Sequence, residues 1–184
     1  SQFENQNYQL AVKEYQRALF FSKGEKTDYL YQQIARAFFK NSQFTQAAYF
    51  YDLSYKTSTN DSLKKELTFN KAQCYLLMSD YRQSLYELTS LGNELSEYFK
   101  RKQDFYFAVS YFGIEDFEKS EAYFISLVKN DPELVNEISG LFSRKNLNRP
   151  SPKTAKTLSR IIPGSGQLYV GDLKNGLNSL VLTG

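Results

Sequence analysis

Histidine and tryptophan are missing from the 184 residues, and cysteine and methionine occur once each. Without histidine the chain has no side chain that ordinarily titrates near neutral pH to serve as general base or to activate a nucleophile. Cys74 is therefore read as a buried, inert thiol. A single cysteine also excludes an internal disulfide framework. No apolar run approaches the roughly 20 residues that a membrane-spanning helix needs, so no complete span is expected within the sequence. Charge of one sign is scarce too: 23 Lys and Arg stand against 20 Asp and Glu, a net +3, which argues against a general nucleic-acid binder. The acidic group Glu115, Asp116, Glu118 and Glu121 is read as a solvated turn and helix start, because carboxylates favour helix N-termini. With no nucleophile–base pair in view, the chain is read as non-enzymatic, with no cofactor and no metal.

Aromatic residues, in contrast, are plentiful, with 15 Tyr and 15 Phe in a chain that is 41% hydrophobic and 23% charged. Their positions repeat. Tyr8, Phe44, Tyr81 and Phe117 follow one another at 36, 37 and 36 residues. Three positions after each stands a small residue (Ala11, Ala47, Ser84, Ser120), and seven after each a large one (Tyr15, Tyr51, Leu88, Phe124). Nine positions before the last three are Ala35, Ala72 and Ala108, and six before them Phe38, Tyr75 and Tyr111. Within Asp28–Tyr55, apolar residues recur at three- and four-residue steps with one polar break at Lys40–Gln43, the period of two amphipathic helices. Small residues where the helices touch and rings around the contact describe a helical hairpin used repeatedly.

These columns resemble the tetratricopeptide repeat, and the copy carrying Phe107, Ala108, Tyr111, Phe117, Ser120, Phe124 and Pro132 matches best. The resemblance covers Phe3 to Pro132. It implies an all-α fold, a right-handed solenoid of about three full repeats plus a half repeat, followed by a short helical tail. The period exceeds the usual 34, the typical tryptophan is absent, and Ser84 and Ser120 replace alanine, from which longer turns and looser helix contacts are expected.

In order, Tyr8–Ser22 is expected as the second helix of a truncated repeat, with Tyr8, Ala11, Tyr15, Ala18 and Leu19 buried. A start at this point fits either a longer chain or a mature end after a cleaved signal peptide. Asp28 is expected to cap the next helix, and Asn60 or Asp61 to stop or start one. Asp80–Tyr81 marks a hairpin turn, with Leu85, Leu88 and Leu91 on the inner face that follows. Gly113 is expected to supply positive φ at the last turn, and Pro132 to open a closing helix over 133–144. The repeat domain is placed at 1–145, a Pro-containing linker at 146–153 and an amphipathic, membrane-proximal tail at 154–184.

In the tail, Pro163-Gly164-Ser165-Gly166-Gln167-Leu168-Tyr169-Val170-Gly171 resembles the start of small bacterial TM2-type membrane modules, and of envelope proteins that couple such repeats to a membrane segment. That resemblance implies a membrane-proximal role for Lys153, Lys156, Arg160, Pro163, Gly164, Gly166, Gln167 and Tyr169. Six cations and no carboxylate between Arg144 and Arg160 suit an anionic lipid surface. The apolar group from Leu177 is too short to span a bilayer unless the chain continues; the alternative is one more helix packed on the repeats. PGSGQ has no following Lys-Ser or Lys-Thr, so it is not read as a nucleotide loop.

Mapping the repeat family's concave face onto this sequence places a partner-binding groove at Tyr29, Gln32, Arg36, Phe39 and Lys40, at Glu66, Phe69, Gln73 and Leu76, and at Lys102, Phe105, Val109 and Phe112. The lysine and asparagine set that clamps a terminal carboxylate in chaperone-binding relatives is missing. The expected ligand is an apolar or aromatic peptide, or a helix of another protein, bound by an adaptor tethered at a bacterial membrane. The alternative is a soluble, self-associating scaffold whose tail packs in its own or a neighbour's groove, covering Phe69, Phe105 and Phe112. The basic flank favours the cytoplasmic side; the start without methionine favours the periplasmic side, which is slightly preferred.

Overall fold

The structure, a computed structural model, describes residues 7–92 and 94–143. Among them are eight helices and no strand: α1 (Tyr8–Phe21), α2 (Thr27–Lys40), α3 (Phe44–Thr57), α4 (Asp61–Leu77), α5 (Tyr81–Thr89), α6 (Glu97–Gly113), α7 (Phe117–Val128) and α8 (Pro132–Phe142). The chain divides into two compact units, Ser1–Leu95 and Ser96–Gly184, a division inside the stretch expected as one repeat domain. Linker 146–153 and tail 154–184 lie outside the described residues. In the first unit α1 to α5 each pack on their sequence neighbours; in the second, α6 packs on α7 and α7 on α8.

Each hairpin is closed by the same local chemistry. The amides of Ser42, Ser79 and Glu115 donate to the carbonyls of Phe39, Leu76 and Phe112 at 3.0, 2.9 and 3.0 Å, and those of Gln43, Asp80 and Asp116 donate to Phe38, Tyr75 and Tyr111 at 2.9, 2.9 and 3.0 Å. This pair of bonds is the Schellman closure, which satisfies helix-end carbonyls by turning one residue left-handed. Here the left-handed residues are Ser42, Ser79 and Glu115, with φ of 58, 59 and 64°. Gly113, expected to take that role, is instead the last residue of α6; the closure needs positive φ two residues later. Since a Cβ is strained in this region, Ser79→Gly is expected to stabilise the protein by about 0.5–1 kcal/mol, read as a higher thermal midpoint.

Across the hairpin, small residues let backbones approach. Ala35, Ala47, Ala72, Ser84, Ala108 and Ser120 are all fully buried. The Ser120 hydroxyl donates to the Ala108 carbonyl at 2.9 Å, so here serine ties α7 to α6 instead of loosening the contact. In α2–α3 the Ser54 hydroxyl donates to the Asp28 carbonyl at 2.7 Å, which sets the two helices antiparallel. Rings then fill the flanks: Phe38 stacks on Phe50 at 5.4 Å and, 73 positions on in both cases, Tyr111 on Tyr123 at 5.6 Å.

Several helix ends differ from the expected ones. Asn60, Asp80, Asp116 and Asp131 do cap their helices through side-chain oxygens, and Pro132 sits in the first turn of α8. Asp28 does not cap α2. Lys26 holds that position with left-handed backbone and no side-chain cap, while the Asp28 carboxylate accepts the Tyr29 amide at 2.8 Å. Leu91 falls beyond α5, which stops at Thr89, where the Thr89 and Ser90 hydroxyls donate to the Tyr86 and Glu87 carbonyls. On α1, Ala18 is exposed and Val12 is buried in its stead. Val12 belongs to the stripe with Tyr8, Ala11, Tyr15 and Leu19 that packs against Ile34 and Ala37 of α2.

Candidate interaction surface

Residues expected on one groove separate into two environments. Tyr29 is half exposed, at 51%, and Arg36 and Lys40 are exposed, with Gln32 partly so. Spaced at i, i+3, i+7 and i+11, these four occupy one face of α2. Phe69, Gln73, Phe105 and Val109 are buried, as is Leu76. Phe105 lies edge-on to Phe124 at 6.4 Å, and Phe112 meets Phe117 at 5.5 Å and Phe142 at 6.2 Å. These rings build the interior of the second unit. Phe39 has the same task in the first, meeting Phe44 at 5.5 Å and 65°, the counterpart of Phe112–Phe117 at 67°.

At the N-terminal end of the α2 face is an open depression of about 370 Å³ lined by Gly24, Lys26, Thr27, Asp28, Thr57 and Thr59. Most of its polar groups are already engaged: the Thr27 and Thr57 hydroxyls donate to the Gly24 and Leu53 carbonyls at 2.7 and 2.9 Å. Burial, with Cys74 acting in the same direction, pushes the Tyr51 hydroxyl well above its ordinary pKa against the opposing charge of Arg36. Burial likewise pushes the Cys74 thiol up, so it stays protonated and unreactive. Asp116 bonds the Lys119 amide at 3.3 Å and its ammonium at 2.7 Å, and no group of three metal-ligating side chains occurs among the described residues.

One polar cluster had no place in the expected site. Lys71 on α4 sits between Asp52 of α3 at 2.8 Å and Glu87 of α5 at 3.0 Å, and Lys56 also pairs with Asp52. Lys71 and Glu87 side chains are only 13% and 10% exposed. Burial by itself would lower the Lys71 pKa, but its hydrogen bonds to Asp52 and Glu87 outweigh that and raise it. For Asp52 burial acts upward, and the bonds from Lys56 and Lys71 prevail and hold it below its usual 3.8. The signal was present in the repeat columns: Lys71 aligns with Ile34 and Phe107, and Glu87 with Phe50 and Tyr123. In the second unit those positions are a ring pair, Phe107–Tyr123 at 5.0 Å. The middle hairpin replaces that pair with a charged one.

Lys153, Lys156, Arg160, Pro163, Gly164, Gly166, Gln167 and Tyr169 lie outside the described residues. Among those described, no helix is long and apolar enough to cross a membrane. The class that the fold and site define is an all-α protein of paired helices with an exposed cationic and aromatic helix face. No family model, curated protein or solved structure matches the chain.

Proposed function

We infer that the protein is a non-enzymatic interaction adaptor, built as a tetratricopeptide-like array of hairpins, which binds a peptide or helix of another protein. The observation that carries this is the α2 face, where Tyr29, Gln32, Arg36 and Lys40 are accessible on one side of a helix whose other side is core. An aromatic ring on the same helix face as two cations further along favours a segment that offers apolar or aromatic side chains and a carboxylate. The tail 154–184 holds the adaptor at the membrane of a bacterial envelope through its basic residues and the PGSGQLYVG stretch.

Site-specific photocrosslinking in cells that make the protein tests this. A crosslinker at Tyr29 is expected to capture one partner, and Arg36→Glu with Lys40→Glu to weaken capture about tenfold without lowering the thermal midpoint. Crosslinkers at exposed Tyr49 and Tyr86 serve as controls. Equal capture at all three positions would exclude the α2 face, and adducts of twice the chain's mass would favour the self-associating scaffold.

A further inference from the structure

Phe20 and Phe21, at the C-terminal end of α1, are 82% and 68% exposed, and their rings meet edge to face at 5.1 Å. Together they form one apolar tip. Their places in the repeat are otherwise polar: Phe20 aligns with Lys56, Asn93 and Lys129, and Phe21 with Thr57, Glu94 and Asn130. Helix α3 packs against both α2 and α4 and still leaves Lys56 and Thr57 exposed. Hairpin packing therefore does not cover these two positions, and the rings serve no need of the repeat.

The turn that follows is well defined. The Ser22 hydroxyl donates to the Leu19 carbonyl at 2.9 Å, the Glu25 amide to the Ser22 carbonyl at 2.9 Å, and the Thr27 hydroxyl to the Gly24 carbonyl at 2.7 Å. Lys23, Gly24 and Lys26 have φ of 49, 93 and 52°. Across residues 17–26 the charges are Arg17, Lys23 and Lys26 against Glu25 alone, all exposed.

We propose that this tip, Phe20 and Phe21 with Arg17, Lys23 and Lys26 around it, is a membrane-interface contact that inserts two rings among the headgroups of an anionic bilayer. Two features favour lipid over a protein groove. A helix docking in a groove presents anchors at i, i+3, i+4 and i+7, whereas consecutive residues diverge by about 100° around the axis. A tip of that shape suits a fluid phase that adapts to it. The surrounding cations match anionic headgroups, and adjacent aromatic side chains with a basic surround are the composition of interfacial anchors. The proposal deepens the envelope reading, from which it takes only the presence of an anionic bilayer, and it supplies a lipid contact on the repeat domain separate from the tail.

The absence of tryptophan makes the test direct. In the full chain, Phe20→Trp places the sole indole at the tip, and a second variant, Tyr169→Trp, places it in the tail. Vesicles of phosphatidylglycerol and phosphatidylcholine in equal parts are expected to shift the indole emission of Phe20→Trp to shorter wavelength, brominated lipid to quench it, and Lys23→Glu with Lys26→Glu to reduce the response about tenfold. Unshifted tip emission overturns the proposal, whether or not the tail probe responds. A blue-shifted tip in buffer that reverts on dilution also overturns it, by showing a second copy on the rings. A tip response without a tail response leaves the proposal standing and removes the tail from the proposed function.

Discussion

Phe69→Ala is expected to cost about 3–5 kcal/mol of stability. Phe69 is fully buried on α4, alongside Leu67 and Leu76, which are equally inaccessible. Truncation leaves a cavity that a helix held on two sides, by α3 and α5, cannot collapse. The measurement is urea denaturation followed by far-UV circular dichroism. Had Phe69 been an open groove residue, the same substitution would change stability by no more than about 0.5 kcal/mol and would act on binding instead. Tyr29→Ala, on the exposed face of α2, is the matched control.

Lys71→Met is the second large effect, at about 2–4 kcal/mol, because it takes the shared cation from two partly buried carboxylates and leaves each with a weaker or more exposed partner. Asp52 keeps Lys56, while Glu87 keeps the Gln83 amide at 3.4 Å. Replacing both members of the pair with the residues of the neighbouring repeat, Lys71→Ile with Glu87→Phe after Ile34 and Phe50, is expected to recover at least half of that loss. A double variant no more stable than Lys71→Met would show that the charges themselves are required there.

The pH dependence has a defined sign. A depressed Asp52 pKa contributes stability that is present above 3.8 and disappears as pH falls through the lower folded value; a raised Lys71 pKa contributes stability present below 10.5 and lost as pH rises past it. The cost of Lys71→Met should thus stay level across neutral pH and shrink at both extremes, in strong acid once Asp52 is protonated and in strong alkali once Lys71 itself loses its proton.

Much of the helical layout was legible from spacing alone. The columns headed by Tyr8, Phe44, Tyr81 and Phe117 marked four helix starts, because a ring must recur wherever the same hairpin recurs. A helix boundary at Asn60, the turn at Asp80–Tyr81 and the helix opened by Pro132 were legible as well, since they depend on neighbours in sequence. Asp28 was not, because Lys26 already turns the chain at φ 52° and leaves the carboxylate inside the first turn. Glu115 was missed for a similar reason: closure geometry, not side-chain preference, decides which residue goes left-handed.

The candidate site divided along the same line. Spacing placed Tyr29, Phe39, Phe69, Phe105 and Phe112 on equivalent faces of three helices, but a period reports direction around one axis and nothing of what lies opposite. Tertiary packing made Phe39 and Phe112 partners of Phe44 and Phe117, buried Phe69 and Phe105, and left Tyr29, Arg36 and Lys40 at the surface. It also drew Asp52, Lys71 and Glu87 from three helices into one network. What the sequence determined by itself is the set of contacts between near neighbours: helices, caps, hairpins and their period. Which equivalent residues are core and which are surface was settled only by the fold, since burial depends on every element packed nearby.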